Sequence, residues 1–192
     1  MGKGRLEAFS DGVIAIIITI MVLELKVPHG EEWETLIPLL PVFFSYVLSF
    51  VNVGIYWNNH HHLLHAASKV NGAVLWANLH LLFWLSLMPF GTAWMGENHF
   101  ASVPVGLYGF DLLMCAIAYT ILVRALISAN RGTSSRLAEA IGSDIKGYLS
   151  LALYLAAIPI AAFLPKLSMA LYVAVAIIWF VPDRRIEKKI AE

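Results

Sequence analysis

Ionisable and amide side chains recur inside otherwise apolar stretches of this 192-residue chain. Asp11 stands at the start of the run FSDGVIAIIITI, and the next charged residue after it is Glu24. Two later stretches, YWNNHHHLLH and VLWANLHLLFW, carry asparagines and histidines. Such groups can form hydrogen bonds, exchange protons near neutral pH or bind a metal ion. For any of these roles, the secondary-structure elements that carry the groups have to bring their side chains close together.

The composition predicts that these elements are membrane helices. Hydrophobic residues make up 59% of the chain, charged residues 14%, and the mean hydropathy is +0.74. A soluble domain carries roughly a quarter charged residues, so charge is too scarce here to cover a water-facing surface. The zero net charge gives no sign of a nucleic-acid partner. Cys115 is the single cysteine, which excludes an internal disulfide.

Six apolar segments predict an all-α integral membrane protein with six transmembrane helices. A bilayer core of about 30 Å needs about 20 helical residues, so the last two segments are short for a full span. The joint SANRGTSSRLAEAIGSDIK, between the fourth and fifth segments, predicts a short surface helix. The chain is expected to form one channel domain over 1–192, with helices at about 9–25, 36–62, 70–96, 103–123, 147–164 and 167–181.

The distribution of basic residues predicts the topology. With the N-terminus in the cytoplasm, the opposite side of the membrane keeps only Lys26 and Lys166. The other 11 of the 13 basic residues then lie on the cytoplasmic side: Lys3, Arg5, Lys69, Arg124, Arg131, Arg136, Lys146, Arg184, Arg185, Lys188 and Lys189. An excess of Lys and Arg marks cytoplasmic loops, so both termini are expected to be cytoplasmic.

On this topology, polar residues of the first three helices share one depth near the cytoplasmic third of the membrane. They are Ser10, Asp11, Trp57, Asn58, Asn59, His60, His61, His62, Trp76, Asn78 and His80. Because an uncompensated Asp in a membrane costs at least a few kcal/mol, we expect one hydrogen-bonded cluster. Three roles stay open for it: a structural tie between helices, a proton relay, and a metal site formed by Asp11, His61 and His65.

The first helix also carries an apolar stripe that points away from Asp11. At 100° per residue, Ile16, Thr19, Ile20 and Leu23 fall within a sector of about 100°, and Asp11 lies about 130° from its centre. The stripe faces either lipid or a central axis where copies of this helix meet. In the second case its rings of apolar side chains form a constriction of the kind that can gate by dewetting.

Three sequence blocks resemble the transmembrane protein 175 family. Arg5-x-x-x-Phe9-Ser10-Asp11 resembles the family signature R-x-x-x-F-S-D. YWNNHHHLL resembles its Y-W-x-N-H-H-x-L-F block, although His62 and Leu64 depart from the usual basic residue and Phe. WANLHLLFWLSLMPFGTA resembles its third-span block, so the resemblance covers roughly the first half of the chain.

The resemblance implies a potassium-selective channel of the prokaryotic form: a single six-span chain in the plasma membrane that assembles as a homotetramer around a pore lined by helix one. It implies a constriction at Ile16, with Thr19, Ile20 and Leu23 along the same wall. It also implies that Ser10 and Asp11 brace helix one against polar residues of the next two helices, which here are Trp57, Asn59, His60 and Asn78.

The leading functional prediction is therefore a leak-like potassium channel, with potassium ions, lipid and further copies of the chain as its partners. The alternative is a proton- or metal-coupled transporter that uses the His, Asn and Asp cluster. The sequence contains no nucleophile or phosphate-binding motif, so an enzyme is not expected, and neither is a cofactor or a resident metal ion.

Overall fold

The computed structural model describes residues 2–130 and 145–180, and every regular element within those ranges is helical. The first helix, α1, continues into a 3-10 turn at Met21–Glu24, and a second 3-10 turn at Trp33–Leu39 leads into α2. The α-helices are α1 (Lys3–Ile20), α2 (Leu40–Ala66), α3 (Gly72–Leu85), α4 (Met88–Glu97), α5 (Ser102–Ala129), α6 (Ile145–Ala161) and α7 (Pro165–Phe180). The all-helical prediction is thus confirmed for the described residues.

Four helical segments among the described residues are long and apolar enough to cross a membrane. These are Lys3–Glu24, Trp33–Ala66, Gly72–Glu97 and Ser102–Ala129. The described parts of the apolar helices α6 and α7 are shorter, at 17 and 16 residues, which at 1.5 Å per residue falls somewhat short of a bilayer core. The six-span arrangement therefore remains a prediction. The surface helix predicted in SANRGTSSRLAEAIGSDIK falls on 131–144, outside the described residues.

The third predicted span consists of two helices, because Pro89 interrupts it. Proline has no amide hydrogen to donate to the carbonyl four residues earlier, and its ring clashes with that carbonyl. The chain accordingly leaves regular α-helix at Ser86 and Leu87 and resumes it at Met88. The short helix α4 therefore has to be held in place by its neighbours as well as by its own backbone.

Helix α5 lies at the centre of the bundle, packs against α3, α4, α6 and α7, and meets α2 through side-chain contacts. Its buried face is almost wholly apolar, with Leu112, Ala118 and Leu122 fully excluded from solvent. Gly109 lets α7 approach closely, since a Cβ at this position would collide with the phenol of Tyr172. That phenol donates a hydrogen bond to the Val105 carbonyl at 3.2 Å. Helix α1 lies on the opposite side of α2, α3 and α4 and does not enter this central contact set.

The start of α1 and the ends of α2 and α5 meet at one end of the bundle, here called the Lys3 end. The Lys3 ammonium donates to the His65 carbonyl at 3.1 Å. The side chain of Asn130 accepts from the backbone amides of Ser68 and Lys69 at 3.0 and 2.9 Å. These contacts fix the depth of α1 relative to α2, and therefore the level at which their polar side chains face each other.

Candidate functional site

A chain of hydrogen bonds joins Ser10 of α1, Asn78 of α3 and His60 of α2. The Asn78 amide nitrogen donates to Ser10 Oγ at 2.9 Å, and its carbonyl oxygen lies 2.7 Å from His60 Nε2. Ser10 in turn donates to the Leu6 carbonyl at 2.8 Å. All three side chains are at most 1% exposed. With the amide nitrogen committed to Ser10, the Asn78 oxygen accepts from His60 Nε2, and three helices are tied together without any charged group.

Asp11 forms a separate contact outside this buried chain. Its Oδ1 accepts a hydrogen bond from Trp57 Nε1 at 3.1 Å, and both side chains are exposed on the single chain. Ser10 and Asp11 are consecutive, so their side chains leave α1 about 100° apart. The expected single cluster is therefore wrong in this respect, because one helix face cannot present both residues to the same partner.

Asn59 does not join the cluster either. Its side-chain nitrogen donates to the Ile55 carbonyl of its own helix at 2.8 Å, and its backbone carbonyl accepts from the Tyr119 hydroxyl at 3.3 Å. Asn59 instead lines a cavity of about 50 Å³ between α2, α5, α6 and α7. Because His60 faces α3, the preceding residue has to point toward α5. The predicted bracing of α1 by Asn59 is therefore wrong for the single chain.

The remaining histidines of α2 form an exposed ladder on the same helix. The rings of His61 and His65 stack with centroids 6.1 Å apart, and His61 also stacks on Trp57 at 6.1 Å. On α3, His80 accepts a hydrogen bond from Trp84 Nε1 at 3.0 Å. Within 2–130 and 145–180, no three His, Cys, Asp or Glu side chains come together as a metal-binding group. The described residues therefore do not assemble the considered set of Asp11, His61 and His65.

The predicted pore stripe of α1 lies on the surface of the single chain. Ile16, Ile20 and Leu23 are 63, 46 and 66% exposed, and Thr19 is exposed beside them. The opposite face of the helix is buried through Ile14, Ile17 and Met21, at 1, 4 and 1%. The signature residues Arg5 and Phe9 are also exposed. Helix α1 therefore packs on its own bundle along one face only and leaves an apolar face open.

An open groove of about 730 Å³ runs between α1 and α4. Apolar side chains form its walls, and the carboxylates of Glu24 and Glu97 also line it. The apolar lining residues include Val13, Ile16, Ile17, Ile20, Phe90 and Trp94. Because Ile16 and Ile20 belong to both the groove and the exposed stripe, the outer surface of α1 and that of α4 form one continuous apolar region.

A second buried polar cluster lies outside the predicted site. Ser49 and Asn52 of α2, Thr92 of α4 and Tyr108 of α5 are all at most 3% exposed and connected by hydrogen bonds. A sequence signal existed, since Ser45, Ser49 and Asn52 recur at helical spacing in an apolar segment. Near this cluster in sequence, the buried Asp111 has no hydrogen-bond partner for either carboxylate oxygen among the described residues.

Four long apolar helices, tied by buried hydrogen bonds and leaving an apolar helix face open, define a multi-pass helical membrane protein. The sequence model of the family described as endosomal/lysosomal potassium channel TMEM175 matches residues 5–89. A protein of Chryseobacterium sp. (strain P1-3) named as a potassium channel is 58% identical over 192 residues, which is 100% of both chains. The chain therefore belongs to the TMEM175 family of ion channels, and the family prediction is confirmed.

Solved and animal relatives extend this comparison. The crystal structure of a lysosomal potassium-selective channel TMEM175 homolog from Chamaesiphon minutus matches with a TM-score of 0.80 at 29% identity, covering 94% of this chain and 97% of that one. The Gallus gallus protein named endosomal/lysosomal proton channel TMEM175 is 33% identical over 101 residues, which is 46% of this chain and 20% of that protein. The fold of the bacterial homolog thus extends over nearly the whole chain.

Proposed function

We propose that this chain is a potassium-preferring leak channel of the plasma membrane, with both termini cytoplasmic. Four copies assemble so that their α1 helices surround the pore. The observation that carries the proposal is the exposed stripe of Ile16, Thr19, Ile20 and Leu23 on a helix whose opposite face is buried. Three bacterial relatives are named as potassium channels, which supports potassium as the permeant ion.

The open face of α1 and its groove with α4 support this assembly. The α1 helix of a neighbouring copy packs in this apolar groove of about 730 Å³. A second copy that docks there covers part of Phe90 and Trp94 while the Ile16 stripe turns toward the common axis. Without a neighbouring copy the same face would contact lipid, so the oligomer is what converts an apolar helix face into a pore wall.

The narrowest point of the pore is the ring formed by Ile16. Its side chains offer no oxygen to replace water, so an ion that passes has to shed part of its hydration shell. Potassium is less strongly hydrated than sodium, and the ring therefore favours potassium. The Thr19 hydroxyl donates to the Ala15 carbonyl of its own helix at 2.9 Å. Its oxygen is left to face the pore and to replace part of the lost water one turn further on.

The proposal is tested by Ile16→Asn in protein reconstituted into liposomes. The polar side chain should wet the constriction, raise unitary conductance severalfold and lower the potassium-over-sodium permeability ratio. Ile177→Asn in α7 is a matched control, because Ile177 is 65% exposed and Ile16 is 63% exposed. The control should leave both quantities unchanged.

Two results would contradict the proposal. If Ile16→Asn and Ile177→Asn behave alike, the stripe faces lipid rather than a pore. If uptake saturates with potassium and requires a pH gradient, the protein is a coupled transporter rather than a channel.

A further inference from the structure

Three buried hydroxyl groups form a continuous chain between α2, α4 and α5. The Ser49 and Tyr108 hydroxyl oxygens lie 2.9 Å apart, and the Thr92 and Ser49 hydroxyl oxygens lie 2.6 Å apart. The Asn52 side-chain amide approaches the Tyr108 hydroxyl at 3.5 Å. Each side chain belongs to an otherwise apolar membrane segment, where a polar group is tolerated only with a partner.

Each hydroxyl of this chain has a partner inside the bundle. Thr92 Oγ1 donates to Ser49 Oγ and also lies 2.6 Å from the Met88 carbonyl of its own helix, so its one proton is shared between two acceptors. Either oxygen can be the donor between Ser49 and Tyr108. The Tyr108 oxygen also accepts from the Asn52 amide, which donates to the Leu48 carbonyl at 3.0 Å as well. The chain therefore connects α4 to α2 and α2 to α5.

This chain ends on α4, the helix that most needs an external support. Because the α-helix is interrupted at Ser86 and Leu87, the helical hydrogen-bond ladder of α3 does not continue unbroken into α4. Its other anchor is Gly96, where an added Cβ would lie 2.5 Å from Ser45 Oγ and 2.8 Å from Val42 Cα of α2. The hydroxyl chain and the close approach at Gly96 both hold α4 against α2.

Helix α4 in turn contacts the end of α1 that lies opposite the Lys3 end. Thr92 Oγ1 is 3.9 Å from the sulfur of Met21, which is 1% exposed. Phe90 and Trp94 of α4 line the groove shared with Ile16 and Ile20. The buried chain of Ser10, Asn78 and His60 acts near the other end of α1, so the two polar clusters hold this helix at two depths.

We propose that Ser49, Thr92 and Tyr108 are positioning residues that fix α4 and thereby set where the Ile20 and Leu23 end of α1 lies in the pore. The inference rests on the proposed channel function and adds to it a second support for the pore helix. These three side chains act through the packing of α4 on Met21 and on the groove wall.

The test uses Thr92→Val in the full chain, reconstituted into liposomes and recorded as single channels. Valine keeps the shape of threonine and removes only the hydroxyl. The potassium-over-sodium permeability ratio or the unitary conductance should change by about fivefold. The reason is that one buried hydrogen bond contributes about 1 kcal/mol, which shifts the equilibrium between two positions of α4 by about that factor. Thr92→Ser keeps the hydroxyl and should restore the wild-type values. Tyr108→Phe breaks the same chain from α5 and should reproduce the valine phenotype even if Thr92→Val folds poorly.

Thr120→Val is the matched control. The Thr120 hydroxyl donates to the Ala116 carbonyl of its own helix at 2.9 Å, which is the same local bond that Thr92 makes to Met88. It lies on the side of α5 that lines the cavity toward α6 and α7. Thr120→Val should leave permeation unchanged. The control therefore distinguishes the loss of any threonine hydroxyl from the loss of the bond between Thr92 and Ser49.

Wild-type permeation in Thr92→Val and Tyr108→Phe would overturn the inference and leave the proposed function intact. The same holds if the Thr120→Val control changes permeation as much as they do. Wild-type protein that folds and assembles but carries no potassium flux would refute the proposed function, and the inference with it.

Discussion

Replacing Asn78 with leucine should destabilise the protein more than any other asparagine-to-leucine change in α2 or α3. Asn78 makes two buried hydrogen bonds, to Ser10 Oγ at 2.9 Å and to His60 Nε2 at 2.7 Å. Each bond contributes about 1 kcal/mol net, and an orphaned buried donor on His60 costs about 1–3 kcal/mol more. These polar side chains also find hydrogen-bond partners in the unfolded, membrane-inserted state, which reduces the net effect. We therefore expect the free energy of unfolding to fall by about 2–4 kcal/mol in total.

The free energy of unfolding can be measured by titrating the purified protein in mixed micelles with SDS and following helicity. Asn59→Leu is the control, since among the described residues the Asn59 side-chain amide donates to the Ile55 carbonyl of its own helix and to no other helix. Asn59→Leu should lower the free energy of unfolding by less than about 1 kcal/mol. The two substitutions are chemically identical and both positions carry predicted bracing residues, so the difference between them measures the buried chain alone.

Equal losses at Asn78 and Asn59 would refute the reasoning. Such a result would mean that depth in the membrane, rather than the direct contact to Ser10 and His60, determines what an asparagine contributes. A double-mutant cycle between Ser10→Ala and Asn78→Leu adds a direct check, because residues in one hydrogen-bond chain should couple by about 0.5–3 kcal/mol.

Two further changes test the packing around α4 and α5. Gly96→Ala should lower stability by about 1–3 kcal/mol in the same titration, because its Cβ would overlap Ser45 and the α2 backbone, whereas Gly54→Ala has open space and should be neutral. Asp111→Leu should raise stability by about 1–3 kcal/mol, since both carboxylate oxygens of this buried residue lack a partner among the described residues. A destabilised Asp111→Leu, or a fully tolerated Gly96→Ala, would contradict the contacts inferred for these helices.

Composition and hydropathy are sufficient to predict an all-helical membrane protein, and segment length marks the last two of the six predicted spans as short. Depth along the predicted helices places Ser10, His60 and Asn78 at one level, where the structure joins them by hydrogen bonds. Depth does not determine direction, however. Asn59 and Asp11 share that level and point elsewhere, because the orientation of a side chain depends on how each helix is rotated against its neighbours.

The hydroxyl chain could not be predicted in the same way. A serine or threonine in an apolar helix ordinarily bonds to a carbonyl of its own helix, as Thr92 does to Met88, and such residues carry no sign of a distant partner. Thr92 also lies beyond the break before Pro89, so its orientation cannot be extrapolated from the helical periodicity of α3. Pro89 was visible in the sequence, but the direction in which α4 leaves the break is set by its packing on α2.

The flux of potassium and sodium through the wild-type protein in liposomes tests the proposed channel function most directly. A potassium gradient should dissipate faster than an equal sodium gradient, without saturation and without a proton gradient. Folded, assembled protein that carries no potassium flux, or that passes sodium as readily as potassium, would contradict it.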